Sequence, residues 1–344
     1  MIPAARRAPS GAGAGVGVGV GPGAVATGTG YASCHHGEIL QGVFRDATGS
    51  RCAGLVTLPM AGRGSRAEFV RDPATEAQQL AVRPVGRTKA LRAAALAVEA
   101  CAGRRGEPPC GGTLRLSGNV PVGLGMGSST SDVIAAVRAV ADSYGLVLAP
   151  GTIARLAVRA ELACDPLMLD DRPVLFAQRE GRVLEVLGPA LPPLVVVGCA
   201  LGGGAPVDTL SLPVRIHDDH DVRAYERLRA LLRRAVATGD AALLGEVATA
   251  SARRGQQVLR HPEFEALTDI SRRVGAAGVQ IAHSGAVAGL LFDPAAPGTR
   301  RRVRTCVRAL EDSGIPATRT FTTFPDPGVA QWTSTSRSRS AGPT

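Results

Sequence analysis

Residues 119–140 read NVPVGLGMGSSTSDVIAAVRAV and change character halfway. Up to Gly127 the stretch is a loop punctuated by Gly123, Gly125 and Gly127; from Ser128 its apolar spacing predicts a helix reaching about Tyr144. Glycine lets a backbone fold closely around a ligand, and the first amides of a helix have no acceptor within it. Those donors, reinforced by the helix dipole, suit a phosphate. Ser128, Ser129 and Thr130 add hydroxyls, one of which could approach a magnesium ion, while Asp132 either complements the dipole or faces solvent. A plain glycine turn capped by Ser128 would look similar. The stretch fits neither GxGxxG nor GxxxxGK[ST], and Lys89, the only lysine, lies far upstream.

The surrounding chain has 344 residues, enough to bury a substantial core, and its 45% apolar but 3% aromatic composition predicts a core of Leu, Val and Ala. A net charge of +10 would favour phosphate backbones if it were clustered. Here arginine is spread along a chain rich in Ala, Gly and Pro, which points to coding bias, so no nucleic-acid partner is expected. The densest basic run, TRRRVR at 299–304, reads as the solvated start of a helix. Seven dispersed cysteines without a CxxC pair predict neither a disulfide scaffold nor a structural zinc site. Cys34 beside His35 and His36 would become a metal cluster or an activated thiol only with distant partners. Residues 1–27 and 331–344 read as disordered tails, the first too glycine-rich for a signal helix. No stretch offers the roughly 20 apolar residues that span a bilayer. A cytoplasmic protein without a membrane partner is therefore expected, and a homodimer is left open.

Short strands are predicted between Gly28 and Met60 around a polar loop, CHHGEILQGVF, with a further strand at 65–70. Helical periodicity follows at 88–102, and a strand at 112–118 feeds the glycine loop. Pro150 helps start a helix at 151–163; strands follow at 173–178 and 194–199, the latter apolar enough to be buried on both sides. Helices at 221–238, 240–257 and 262–276 precede two strands around a polar turn in GVQIAHSGAVAGLLFD, 278–293. A helix near 300–312 and a strand near 317–323 end the pattern. The order predicts an α+β chain of two lobes, 28–190 and 191–330.

With those motifs in hand, PVGLGMGSST at 121–130 resembles the phosphate-binding motif of the GHMP kinase superfamily, Pro-x-x-x-Gly-Leu-Gly-Ser-Ser-Ala, with Met126 for Leu and Thr130 for Ala. SCHHGEILQG at 33–42 is similar to the Ser-Cys-Gly-Glu-Leu-Ile-Gln-Gly of that superfamily's L-threonine kinase branch, which serves cobalamin nucleotide-loop assembly. The late Ala-His-Ser-Gly segment resembles the same branch. The resemblance implies a two-lobed GHMP fold, with the first lobe binding the nucleotide and the second completing the acceptor site. It also implies ATP, Mg2+ and transfer of the γ-phosphoryl group to a small-molecule hydroxyl. L-threonine giving O-phospho-L-threonine is expected, with homoserine, a specialised amino alcohol or a non-catalytic nucleotide-binding regulator as alternatives.

The resemblance carries roles residue by residue. Pro121, Gly123, Leu124, Gly125, Gly127, Ser128, Ser129 and Thr130 would hold the nucleotide, with Ser129 on the magnesium side and Gly285 approaching from the other lobe. Glu161 and Asp165 supply carboxylates, spaced one residue wider than the family's Glu-x-x-Asp; Glu161 is assigned to magnesium and Asp165 to the acceptor alcohol. Were the helix to continue, the two would share a face. Glu38 and Gln41 would bind the acceptor, His35 and His36 would reshape its pocket or occupy a turn, and His283 and Ser284 would orient it or belong to the core. Some related kinases pair the aspartate with a lysine. Lys89 is expected on a solvated helical face instead, leaving magnesium or arginine as the positive partner of the phosphate.

Overall fold

The computed structural model describes residues 26–119, 125–169, 172–204, 217–282 and 285–324. Its backbone is a mixed α/β arrangement built on a ten-stranded sheet. Two long strands, β1 (Ala26–Arg45) and β2 (Arg51–Glu76), form an antiparallel pair in its middle. The polar segment expected as a loop is part of β1, and β1 already begins at Ala26, inside the segment expected as a tail. Polar residues are tolerated there because the register shifts between Ser33 and Cys34, between His35 and Glu38, and between Glu38 and Leu40. Such irregularities re-aim side chains that a regular ladder would fix.

Beyond β2 come the short β3 (Leu80–Arg83), the helix α1 (Thr88–Arg105) and β4 (Cys110–Gly118). The helix α2 (Ser128–Ser143) follows the glycine loop, and α3 (Pro150–Glu161) starts on its proline. A small hairpin, β5 (Val174–Ala177) and β6 (Arg182–Val186), leads to β7 (Val195–Ala200). Then come α4 (Asp219–Thr238), α5 (Ala241–Gly255), α6 (Phe264–Val274), β8 (Gly278–Ile281), β9 (Val287–Phe292), α7 (Thr299–Asp312) and β10 (Ala317–Thr322). β3 and β6, four and five residues long and buried at no position, are too short to mark themselves in the sequence.

The main path of the sheet runs β10-β7-β9-β8-β1-β2-β4-β3, with β5 and β6 attached beside β2. One core packs α1, α2 and α3 against β1, β2 and β4. Around β7 and β9 the sheet is covered on both faces. Val196, Val287 and Leu291 join one core with α4 and α5, while Val195, Val197 and Leu290 join another with α6 and α7. That double coverage explains why β7 is continuously apolar rather than alternating. On α7, Val303, Cys306 and Leu310 are buried and Arg300, Arg301 and Arg304 face solvent, the solvated basic run expected. Among the described residues no helix is long and apolar enough to cross a membrane.

α2 is the central element: 13 of its 16 residues are buried, so it is framed by protein along most of its length. Gly30 lets it approach β1 at backbone distance; a Cβ there would lie 2.1 Å from the Ala135 carbonyl oxygen. Asp132, expected in the dipole or in solvent, is instead buried. It accepts a hydrogen bond from Ser65 Oγ at 2.5 Å and pairs with Arg87 at 3.0 Å, tying the N-terminal part of α2 to β2 and to the residue before α1.

Candidate active site

The site is assembled at the N-terminus of α2. Gly127 precedes the helix at φ 67°, and no side chain caps it. Ser128 is therefore the first helical residue and not the cap. The left-handed turn is glycine's to make. Space demands glycine as well: a Cβ on Gly127 would come within 2.3 Å of the His35 ring. Gly125, at φ 80°, lies against the late turn, where its Cβ would meet Gly285 Cα at 2.8 Å and Ala282 Cβ at 2.7 Å. Two turns far apart in sequence thus face each other. Pro121, Gly123 and Leu124 lie outside the described residues, as do His283 and Ser284.

Ser129 and Thr130 present their hydroxyls to one carboxylate. Ser129 Oγ donates to Glu161 Oε2 and Thr130 Oγ1 to Glu161 Oε1, each at 2.8 Å. Burial pushes the Glu161 carboxyl up to about 7, with Asp165 acting in the same direction. The two hydroxyls and the charge of Lys89 pull the other way. Lys89 is exposed on α1, as expected, yet its charge reaches this carboxylate.

α3 does not continue to Asp165. It stops at Glu161, and Leu162 turns the chain with a left-handed φ of 72°. Helical spacing is therefore not what brings the carboxylates together; the loop does so. The Asp165 backbone N–H points to Thr130 Oγ1 at 3.5 Å, so Thr130 stands between the two acids. Behind Asp165 lies His35, whose Nε2 is 3.0 Å from Asp165 Oδ2. This is an ion-pair contact without hydrogen-bond alignment. The His35 side chain is 2% exposed and that of Asp165 20%, so the carboxylate is the member open to a ligand. Burial disfavours a charged His35, but Asp165 outweighs it and the imidazole is raised to about 9. Burial would also raise Asp165; the His35 charge prevails and lowers it. Glu38 completes the group, with ligand atoms of His35, Glu38 and Asp165 all within 4.8 Å of one another.

The neighbouring residues of β1 separate by role. His36 enters the core of the sheet. Its Nδ1 lies 3.1 Å from Gln280 Oε1, its ring is 5.1 Å from Phe321, and burial lowers it to about 4, leaving a neutral core histidine. Gln41 is half-buried and its backbone N–H donates to Ser251 Oγ at 3.1 Å, anchoring β1 to α5. Cys34 is buried beside Met60, and burial pushes its thiol up to about 11, the opposite of an activated nucleophile. All seven cysteines are buried and free. The His35–Asp165 pair was not foreseen as a unit, although the two histidines interrupting the Cys-Gly join were its visible sign.

Comparison with known proteins places this geometry. The family described as GHMP kinases N terminal domain matches residues 89–169, and GHMP kinases C terminal matches residues 228–311. The chain carries both GHMP kinase domains. This GHMP kinase homologue is 31% identical to L-threonine kinase of Salmonella typhimurium over 51% of its own length and 58% of that protein's. It is 27% identical to L-threonine kinase of Citrobacter freundii, over 51% of its length and 60% of the relative's. The match thus spans less than two thirds of either relative. Homoserine kinase from Cytophaga hutchinsonii shares the fold at a TM-score of 0.61 and 15% identity, over 87% of this chain and 94% of that one. Gly125 and Gly127 let the loop before α2 pack directly against Ala282, Gly285 and the His35 ring. The oxygens of Ser129 and Glu161 are the hard donors that magnesium prefers.

Proposed function

We propose that the protein transfers the γ-phosphoryl group of ATP to the hydroxyl of a small amino acid, with L-threonine as the acceptor and O-phospho-L-threonine as the product. The observation that carries this reading is the convergence of Ser129, Thr130, Glu161 and Asp165 at the start of α2, where the glycine loop meets Gly285. The similarity to two L-threonine kinases supports the choice of acceptor. That product would serve cobalamin nucleotide-loop assembly, as the motif resemblance implies.

Gly125, Gly127 and the first amides of α2, from Ser128 to Thr130, would bind the nucleotide phosphates. Ser129 and Glu161 would hold Mg2+, which neutralises phosphate charge when bound. Asp165 would orient the acceptor alcohol and receive its proton. The alcohol oxygen bonds to the γ-phosphorus as the bond to the β,γ-bridging oxygen breaks and ADP departs. Phosphoryl transfer of this type depends chiefly on alignment and charge stabilisation, and less on a strong base. Glu38, in the same cluster as Asp165, supplies a second carboxylate suited to the ammonium of an amino acid.

Metal-dependent ADP formation with L-threonine, L-serine, L-homoserine and simple amino alcohols, followed by mass analysis of the product, tests the proposal. Preferential formation of O-phospho-L-threonine supports it. Preference for homoserine or an amino alcohol moves the substrate and retains the kinase; ATP binding without acceptor-dependent turnover replaces the kinase with a nucleotide-binding regulator. In the Asp165→Asn variant, kcat should fall by roughly 100-fold or more while ATP affinity is retained.

A further inference from the structure

We propose that His35 is a positioning residue for Asp165: a buried imidazolium that holds the carboxylate in place against the phosphate loop. The inference rests on the kinase reading above, in which Asp165 receives the acceptor's proton. Geometry carries it. His35 Nδ1 lies 3.1 Å from the Gly37 carbonyl oxygen, which can only accept a hydrogen bond. Nε2 lies 3.0 Å from a carboxylate oxygen of Asp165. An acceptor thus stands beside each ring nitrogen, the surroundings that suit a doubly protonated, cationic imidazole.

The same ring supports the nucleotide loop. A Cβ on Gly127 would lie 2.3 Å from His35 Cδ2 and 2.5 Å from Nε2, and the His35 backbone N–H donates to the Met126 carbonyl at 3.3 Å. One residue of β1 therefore touches both the turn before α2 and the carboxylate beyond α3. The cation lies behind Asp165 and not in front of it, since His35 is almost wholly buried and Asp165 is the partly open member of the pair.

The charged surroundings favour this state. Glu38 adds negative potential at His35, and His36 stays neutral in the core. Glu161 faces Asp165 from the end of α3, and the Lys89 charge acts on Glu161. Lys89 itself is exposed on α1, so the structure assigns the fixed cation of the carboxylate to a histidine. A charge at this position keeps Asp165 ionised and fixes its direction, which matters where alignment contributes more than base strength.

The test uses the full chain labelled with 15N-histidine and two variants. Both ring nitrogens of His35 should carry protons throughout the neutral range, and Asp165→Asn should shift the titration downward. In steady-state assays His35→Gln should lower kcat by roughly 100-fold, the scale of a lost acid–base arrangement, with little change in KM for ATP. His35→Lys, which restores a charge, should retain more of kcat than His35→Gln. A merely space-filling histidine predicts the reverse order, because a buried lysine is worse tolerated than glutamine. A neutral His35 ring at neutral pH would overturn the proposal, as would parental kcat in His35→Gln. So would loss of the Nε2 proton on adding Zn2+ alone, which would mark His35, Glu38 and Asp165 as a metal site. Absence of kinase turnover in the parent would defeat the functional reading and leave the charge of His35 to be decided by the resonances alone.

Discussion

Gly125 and Gly285 meet backbone to backbone: a Cβ on Gly125 would stand 2.8 Å from Gly285 Cα. Neither turn can retreat easily, since Gly125 leads within three residues into the buried helix α2 and Gly285 into the central strand β9. Gly125→Ala would add both this clash and a left-handed backbone, itself costing about 1–2 kcal/mol. We expect a lower melting temperature and nucleotide affinity weakened by roughly tenfold, about 1.4 kcal/mol. Unchanged nucleotide affinity by calorimetry would show that the two turns do not jointly shape the phosphate site.

Glu161 gives a stability signature of definite sign. Its folded-state pKa of about 7 lies above the ordinary 4.5, so between those values the folded chain binds more protons than the unfolded one. Stability from this group is therefore greatest at acid pH and falls as pH rises from 4.5 to 7. The full ionisation penalty is about 3 kcal/mol. Without divalent metal, Glu161→Gln should be more stable than the parent at pH 8, and their denaturation midpoints should converge near pH 4.5. Equal midpoints at both pH values would show that the buried carboxylate carries no such penalty.

His36 acts with the opposite slope. Its pKa is lowered from 6.5 to about 4, so the unfolded chain takes up a proton first on acidification. Its contribution is present above pH 6.5 and is lost as pH falls toward 4. Replacing His36 by Gln should flatten the acid limb of the stability profile, measured as the difference from the parent so that other titrations cancel. An identical acid limb would place a charged imidazole in the folded core.

Asp132 tests whether the N-terminal part of α2 is held from outside the site. Asp132→Ala leaves the Ser65 hydroxyl without its acceptor and Arg87 without its ion pair. Because the Arg87 side chain is 32% exposed, the expected loss is at the lower end of the buried-network range, roughly 2–3 kcal/mol. Chemical denaturation would measure it. Nucleotide affinity should fall in parallel, and full stability with normal affinity would remove Asp132 from the support of the helix.

The phosphate-loop helix was legible in the sequence because its signals are local: glycines that permit tight turns, then apolar residues at helical spacing. The same holds for α1 and α4 to α7, and for the buried β7, whose unbroken apolar run already pointed to cover on both faces. The polar part of β1 was not legible. Alternation there is broken by register shifts around His35, His36 and Glu38, and the burial of these residues comes from elements far along the chain.

By itself, the sequence determined the resemblance to the GHMP kinases, the order of helices α1 to α7 and of the strands other than β3 and β6, and the residue types available to a phosphate and a metal. It left open where those residues stand. Only the tertiary structure showed that α3 ends at Glu161, that the left-handed Leu162 redirects the chain, and that Asp165 reaches Thr130 and His35 from a loop. Only the tertiary structure sent the adjacent His35 and His36 to different fates, one beside the Asp165 carboxylate and one in the core against Gln280 and Phe321. The physical reason is that spacing records local conformation, whereas charge state follows from burial and from partners that the chain supplies only once folded.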